Sequence, residues 1–274
     1  MLKLLFGTAG IPLSTKPSNL LNGIKRVNEL ELDGMELEFV RGIYLKHNQA
    51  PIVKEVAKDY NVVLTAHAPF FINLNSQEEE KLHASMKRII DSARITNICN
   101  GISVIFHAGF YLQSTRENTF NNIKRNLLLI HETLERENNN ILLRPELTGK
   151  DSQFGNLDEI IELSKEIPRL LPCIDFAHYH ARYNGKGSYK EFSYILEKLA
   201  KELGGDILEN MHIHVSGVQY TFKGERKHLN LKQSDFPYND FIKVLKDYNV
   251  KGVVICESPN IEDDAVFLKD LFYN

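Results

Sequence analysis

Residues 103–106 read Ser-Val-Ile-Phe, a short run that is apolar almost throughout. A run of this kind, without regular alternation of polar side chains, is typical of a strand that is buried on both faces of a sheet. Similar short runs occur along the whole chain, and the full set covers residues 2–6, 35–39, 62–66, 103–106, 141–144, 171–174, 211–215 and 253–256. The sequence therefore predicts eight strands of a parallel sheet.

The stretches between these runs are long enough for helices. Apolar residues recur there at spacings of three and four, as in 89–98 and 160–167, which indicates helices with one buried face. We expect N-caps at Ser18 and Asn156 and a last helix near 262–272. Strands that alternate with helices predict a (β/α)8 TIM barrel, an α/β fold. A doubly wound open sheet is less favoured, because the first strand–helix turn, FGTAGIP, lacks the GxGxxG phosphate motif.

Length, charge and cysteine content narrow the class of protein. The 274 residues correspond to slightly under two average domains, but the regular recurrence of strands without a linker favours one barrel domain over residues 1–274. The net charge of −3 excludes a protein that is held to nucleic acid by a broad basic surface. Three cysteines without a CxxC pair, no signal-peptide pattern and no long apolar run predict a cytoplasmic protein outside the membrane.

Six of the ten histidines lie at or just past a predicted strand end. A single histidine in such a place is more often a hydrogen-bonded structural group, but in a barrel all these ends meet over one mouth. Imidazoles and carboxylates gathered there need a cation to neutralise them. Their types favour Zn²⁺ or Mn²⁺, and we interpret Cys173 and Cys256 as small core residues. The polar set is His67, His107, Glu146, Asp175, His178, His180, His212, His214 and Glu257.

Seven short blocks follow the strands in a recognisable order. They are HAPFFINL (67–74), FHAG (106–109), PEL (145–147), CIDFAH (173–178), HIHVSG (212–217), RKHLNL (226–231) and ESP (257–259). With these blocks the chain resembles the endonuclease IV family of abasic-site DNA repair nucleases, within the xylose-isomerase-like barrel group. The resemblance covers essentially the whole chain and implies the same barrel, with a cluster of three zinc ions at its mouth.

The resemblance also implies which residues hold the ions. The set for the first ion is His67, His107 and Glu146. The set for the second ion is Glu146, as a bridging ligand, with Asp175, His212 and Glu257. The third ion would be bound by His178 and His228. Two or three Zn²⁺ ions are therefore expected, with Mn²⁺ as the alternative metal.

The third site departs from the family pattern. The family has an Asp two positions before the last histidine of this set, and Arg226 occupies that position here. Glu225 stands one residue earlier and is a possible ligand through a changed loop. Alternatively, His180 or His214 substitutes, or the site holds only two metals. His214 also stands where better-known members of the family carry Asn.

The resemblance implies a metal-dependent DNA repair endonuclease, and the chemistry of these residues agrees with that activity. Bridging metals lower the pKa of a bound water towards ~7, and the resulting hydroxide attacks the phosphodiester 5′ to an abasic site, leaving a 3′-hydroxyl. We assign Glu146 and Glu257 as the catalytic residues. The alternative is a sugar isomerase or epimerase on the same barrel, whose single divalent metal leaves the remaining imidazoles unexplained. A non-catalytic metal or nucleic-acid binding module is the third interpretation.

The expected partner is duplex DNA with an abasic site. In the family, the loop that matches Phe70 and Phe71 enters the minor groove beside the flipped nucleotide, and an aromatic side chain can stack where a base is missing. Without the resemblance, both phenyl rings would be interpreted as packing over the mouth. Arg226 and Lys227 offer local positive charge for the DNA backbone. No protein partner is evident, and we expect a monomer.

Overall fold

Twelve strands and nine α-helices are present in residues 3–274, the part of the chain that this computed structural model describes. The strands are β1 (Leu4–Ala9), β2 (Gly34–Glu38), β3 (Val63–His67), β4 (Ser103–Phe106), β5 (Gly109–Phe110), β6 (Leu142–Pro145), β7 (Gln153–Phe154), β8 (Cys173–Asp175), β9 (Met211–Val215), β10 (Gly217–Thr221), β11 (Gly224–Leu229) and β12 (Gly252–Cys256). The eight predicted strands are all found, those at 103–106 and 211–215 with the predicted bounds and the remaining six with shifted ends. The first prediction began at residue 2, which lies outside the described residues.

Eight of these strands form one parallel sheet in the order β6-β4-β3-β2-β1-β12-β9-β8. Isolated parallel bridges from Leu143 to Leu170 and from Glu146 to Cys173 join the two outer strands. The sheet therefore forms a nearly closed barrel, and the predicted (β/α)8 fold is confirmed. Two small antiparallel pairs, β5 with β7 and β10 with β11, stand outside this sheet.

The helices alternate with the barrel strands. They are α1 (Leu20–Glu29), α2 (Ala50–Asp59), α3 (Glu79–Ile98), α4 (Arg116–Arg136), α5 (Leu157–Glu166), α6 (Phe176–Arg182), α7 (Tyr189–Leu203), α8 (Tyr238–Asp247) and α9 (Glu262–Tyr273), with short 3₁₀ turns at Gly205–Glu209 and Leu231–Gln233. Their apolar faces are buried against the sheet, as the spacing predicts for Ile89 and Ala93 on α3. No helix within residues 3–274 is long and apolar enough to cross a membrane.

The N-cap of α5 is the residue expected from the sequence, whereas the N-cap of α1 is not. Asn156 caps α5, and its side chain forms a capping box with Glu159, as expected. Ser18 is not the cap of α1. Asn19 takes that place, and its side chain accepts a hydrogen bond from the backbone N–H of Asn22, since the helix begins one residue later than expected.

Candidate metal centre

Glu146 lies at the centre of the barrel mouth, immediately after β6, and is 1% exposed. Its Oε2 lies 3.1 Å from His67 Nε2 and 2.9 Å from His107 Nε2. Its Oε1 lies 3.1 Å from His178 Nδ1 and 3.3 Å from His214 Nδ1. Burial favours the neutral acid, but the imidazoles, His107 foremost, hold the pKa of Glu146 well below its ordinary value. One carboxylate thus links residues from four separate strand ends.

Three adjoining groups of donor atoms surround this carboxylate. Within each group, the candidate ligand atoms all lie within 4.8 Å of one another. The groups are His67, His107 and Glu146; then Glu146, Asp175, His214 and Glu257; then His178, Glu225 and His228. We call these nine residues together the mouth cluster. The structure brings together every histidine and carboxylate expected here except His180 and His212.

Three imidazoles of the mouth cluster are oriented by backbone carbonyl groups. In each, Nδ1 lies at hydrogen-bond distance from a carbonyl oxygen to which it donates its proton, so Nε2 is the atom that would offer a lone pair to a cation. The pairs are His67 with Ala68 (2.7 Å), His178 with Leu147 (3.0 Å) and His228 with Glu257 (3.2 Å). Metal-binding histidines are typically held in this way. The free Nε2 atoms face the carboxylates.

Two carboxylate oxygens in the cluster have no hydrogen-bond partner among residues 3–274, although both are buried. They are Oδ2 of Asp175 and Oε2 of Glu257. The second oxygen of Asp175 accepts the backbone N–H of His178 at 2.7 Å, which fixes the carboxylate at the start of α6. Burial raises the pKa of Glu257 to about 8. A buried carboxylate oxygen without a hydrogen bond is costly, so these donors fit divalent cations.

The second donor group contains His214 where the resemblance implied His212. The two residues are two positions apart on β9, so their side chains share the face that points into the barrel. They lie at different heights along the strand. His214 is in register with Asp175, whereas His212 is in register with Cys173, about 6.6 Å deeper. His212 instead contacts Oε2 of Glu36 at 3.2 Å. The alternation of side chains identifies the face of a strand but not the level at which a ligand lies.

The third donor group contains Glu225, the possible ligand, and Arg226 takes no part in it. Oε2 of Glu225 lies 3.6 Å from His178 Nε2, and its Oε1 lies 3.9 Å from His228 Nε2. In the β10–β11 hairpin, Gln219 pairs with Lys227 and Tyr220 pairs with Glu225, which leaves Arg226 as an extra residue in a β-bulge. Residues three positions apart on a regular strand point to opposite faces. The bulge changes this alternation and puts the side chains of residues 225 and 228 on the same face.

His180, a candidate substitute in the third group, lies elsewhere. Its Nε2 is 3.2 Å from Asp235, and its Nδ1 accepts the backbone N–H of Gly187.

Gly149 has a role that sequence reasoning missed. A Cβ atom at this glycine would lie 2.7 Å from Glu225 Cβ and 3.0 Å from His178 Cδ2. The absence of a side chain at this position therefore lets Glu225 and His178 approach each other.

The residues expected to contact DNA are exposed. Phe70 is 53% exposed and Phe71 is 67% exposed, and the Phe70 ring lies 5.8 Å from the His67 ring. Both phenyl groups line a groove of 770 Å³ beside the mouth, so the rings are not buried as core. Arg226 and Lys227 are exposed on β11.

Glu36 and Glu38 on β2 also point towards the imidazoles, and sequence reasoning gave them no role. Glu36 is fully buried and lies 2.9 Å from His214 Nε2. Burial, with the nearby charge of Glu36, raises the pKa of Glu38 to about 7. The two residues are two positions apart on one strand, so the sequence indicates that they share a face. It does not indicate their partners, which lie on strands far along the chain.

Sequence comparison places the chain among barrel enzymes. The model of the family described as xylose isomerase-like TIM barrel matches residues 24–271. An uncharacterized protein of Methanocaldococcus jannaschii is 47% identical over 266 residues, which cover 97% of this chain and 95% of that protein. The probable endonuclease 4 of Malacoplasma penetrans is 23% identical and is matched over 76% of this chain and 72% of its own length.

Two solved structures have the same fold at low sequence identity. Endonuclease IV from Thermus thermophilus superposes with a TM-score of 0.74 at 17% identity, over 97% of both chains. A D-tagatose 3-epimerase-like protein superposes with the same TM-score of 0.74 at 20% identity, over 97% of this chain and 96% of that protein. The shape of the barrel therefore does not distinguish a nuclease from an epimerase.

Proposed function

This chain belongs to the xylose isomerase-like TIM barrel family, a family of enzymes, and we propose that it is a metal-dependent DNA repair endonuclease. The proposed reaction is hydrolysis of the phosphodiester 5′ to an abasic site, which leaves a 3′-hydroxyl. Relatives named as probable endonuclease 4 support this assignment at 19–28% identity. Fold alone does not imply function, so the argument depends on the site.

The observation that carries the proposal is the number of adjoining donor groups. A site for one cation is complete with Glu146, Asp175, His214 and Glu257. Two further groups, each with two histidines, meet this set, and Glu146 belongs to two of the three. Enzymes that hydrolyse phosphodiesters often hold two or more divalent ions side by side. We propose Zn²⁺, two or three ions, with Mn²⁺ as the alternative.

The protein's own groups have separable tasks. When bound, the divalent ions would lower the pKa of water and offset the negative charge that develops on the phosphate. Glu146 and Glu257, the proposed catalytic residues, face the space between the donor groups. The backbone carbonyls of Ala68 and Leu147 fix the imidazole rings of His67 and His178, so that little reorganisation is needed during the reaction.

The exposed phenyl groups support abasic DNA as the substrate. Phe71 is 67% exposed at the edge of the mouth, where it can stack in the gap left by a missing base. Arg226 and Lys227 project from the hairpin that carries Glu225, so they would contact phosphates close to the site. A net charge of −3 is compatible with DNA binding if positive charge is concentrated at the mouth, where two or three divalent ions would add it.

An epimerase is the second candidate function. The observation in its favour is the four-residue group of Glu146, Asp175, His214 and Glu257, together with the fold of the D-tagatose 3-epimerase-like protein. A one-metal sugar site has no use for His67, His107, His178 and His228. The two candidates therefore differ in how many ions the active protein holds.

The test uses protein purified without chelator, with its metal content counted. It is incubated with a duplex that carries one tetrahydrofuran abasic analogue, with the matching intact duplex and, separately, with a ketohexose. We expect a single nick at the analogue, a 3′-end that a polymerase extends and no epimerisation. His131→Gln, in a helix away from the mouth, should behave like the wild type. Metal-replete protein that leaves the duplex intact would overturn the nuclease, and epimerised sugar would establish the epimerase.

A further inference from the structure

Beneath the mouth, the interior of the barrel contains a second group of potential ligands. It consists of Glu36 on β2, Cys173 on β8, and His212 and His214 on β9, and we call it the deep cluster. All four residues are 0% exposed. A ligand atom from each of Cys173, His212 and His214 lies within 4.8 Å of those from its two neighbours. The interior of a TIM barrel at this level is normally filled by branched apolar side chains.

The distances in the deep cluster are difficult to explain by hydrogen bonds. His212 Nε2 and His214 Nε2 lie 3.2 Å apart. The oxygens of Glu36 lie 3.2 Å from the first nitrogen and 2.9 Å from the second. Even so, Oε1 of Glu36 has no hydrogen-bond partner within the described chain. Each neutral imidazole carries one proton, so both rings can donate to Glu36, but the two Nε2–H groups then face each other at 3.2 Å without an acceptor between them.

A cation accounts for all of these contacts at once. Zinc bonds of about 2.0–2.1 Å in a tetrahedron place neighbouring ligand atoms roughly 3.3 Å apart. The observed separations of 2.9–3.2 Å between the nitrogens and the Glu36 oxygens are close to that value. The unpartnered Oε1 then has a cation to bind, and both Nε2 atoms can direct lone pairs to the same point.

Neighbouring hydroxyl groups hold the outer atoms of two of the four side chains. Thr65 donates a hydrogen bond of 2.7 Å to Oε2 of Glu36. Ser103 Oγ lies 3.2 Å from Nδ1 of His212, and when Nδ1 donates its proton to this hydroxyl, Nε2 is left free for a cation. Such outer contacts, which fix the tautomer of a histidine and the rotation of a carboxylate, are typical of metal sites.

Cys173 differs from the remaining two cysteines of the chain. Cys99 and Cys256 belong to the apolar core that the described residues form, whereas Cys173 is equally buried but lies outside that core. Its sulfur lies within 4.8 Å of a ligand atom of each of His212 and His214. The expectation that Cys173 is a small core residue holds for its burial, but its surroundings include two imidazoles.

We propose that Cys173, His212 and His214 form a closed site for a divalent cation of the zinc class, with the carboxylate of Glu36, which contacts both imidazoles, as a further donor. One sulfur, two nitrogens and a carboxylate are a ligand set that suits Zn²⁺, and four protein ligands are typical of a structural site. His214 would bind through Nε2, while its Nδ1 faces Glu146 at 3.3 Å. The deep ion would thus orient a ring that belongs to the mouth cluster as well.

Cobalt substitution tests this site directly. Protein whose metal has been exchanged for Co²⁺ should show a near-ultraviolet charge-transfer band from the thiolate of Cys173. The band should be absent from Cys173→Ser and retained in Cys99→Ser, the matched variant of a buried cysteine in the core. Metal analysis should give one ion fewer in Cys173→Ser and in His212→Asn than in the wild type.

The wild-type spectrum keeps the proposal falsifiable even if a variant does not fold. Cobalt-replete wild-type protein without the thiolate band would overturn the site, because Cys173 is the only cysteine within the cluster. A metal content that is the same in folded His212→Asn and in the wild type would overturn it as well. Neither result depends on nuclease activity, so this inference and the proposed function can fail separately.

Discussion

The mouth cluster and the deep cluster are built from similar residues and share His214, but they differ in access to solvent. At the mouth, the side chains of His107 and His228 are 23% and 28% exposed. In the deep cluster, Glu36 and His212 are both 0% exposed. Structural metal sites are closed by protein ligands, whereas catalytic sites keep an open position. Under the two proposals, the open mouth would exchange ions and admit substrate, whereas the closed interior would retain its ion.

The two clusters are also supported differently. Backbone carbonyls orient the mouth imidazoles, and these carbonyls lie in the loops that follow the strands. In the deep cluster, the support comes from two hydroxyl groups on barrel strands, that of Thr65 on β3, next to the strand of Glu36, and that of Ser103 on β4, across the barrel from His212. Loops at the carboxyl ends of barrel strands vary with function, whereas the inner strands determine stability. The proposed function therefore assigns substrate binding to the mouth.

Stepwise removal of metal has the largest expected effect and tests this comparison most directly. A chelator should abolish nicking completely while one ion stays bound, because the mouth is open and the deep site is not. Metal content and nicking are measured in parallel during dialysis, and Zn²⁺ should restore activity. Loss of all ions in one step, at a single rate, would show that the two clusters do not differ in access.

Glu146→Gln should have the next largest effect. The substitution removes the charge that two of the donor groups share, so nicking should fall by more than about 100-fold, the upper end of the loss typical for an outer contact. Nicking rate and metal content are the measurements, and Glu162→Gln, at an exposed ion pair, is the control. A variant that nicks at nearly the wild-type rate would show that Glu146 does not bridge ions.

Gly149→Ala tests the third donor group without changing a ligand. The new Cβ would clash with Glu225 at 2.7 Å, so this carboxylate should move away from His178 and one mouth ion should bind more weakly. We expect nicking to fall by about 10- to 100-fold, with zinc restoring part of it at high concentration. Gly205→Ala, where the described chain leaves open space, is the control. Equal zinc affinity in the two variants would exclude Glu225 as a ligand.

Phe71→Ala should have the smallest effect and should spare both clusters. Loss of one stacked ring is expected to cost about 1–3 kcal/mol of binding to abasic duplex. Binding is measured with the cation-loaded protein on abasic and intact duplexes, together with metal content. Tyr194→Ala, an exposed aromatic on α7, provides the comparison. Unchanged affinity for the abasic duplex would assign Phe71 to packing beside the groove.

The barrel could be predicted because its signals are local. Apolar runs such as 103–106 and 211–215 identify the strands, and each strand end places its polar residue at the mouth whatever the details of packing. The N-cap of α5 was predictable for the same reason, since Asn156 and Glu159 lie within one turn of each other. Asn19 was missed in favour of Ser18 because adjacent polar residues are equally good caps.

The exchange of His212 for His214 could not be predicted in this way. The two residues share a face of β9, and only the register with β8 decides that His214 is level with Asp175. The place of Glu225 in the third donor group depends on a β-bulge at Arg226, and no residue type in the sequence indicates that bulge. Glu36 meets His212 from across the barrel, far away along the chain.

The sequence by itself determined the (β/α)8 barrel and the gathering of imidazoles and carboxylates at one end. Alternation fixes which face a side chain takes, and strand order along the chain fixes which end the loops occupy. The tertiary structure alone decided at which level along the barrel axis each candidate ligand lies. It also decided the separation of two clusters that share one histidine. Height depends on the stagger between neighbouring strands, which is set when the sheet closes into a barrel.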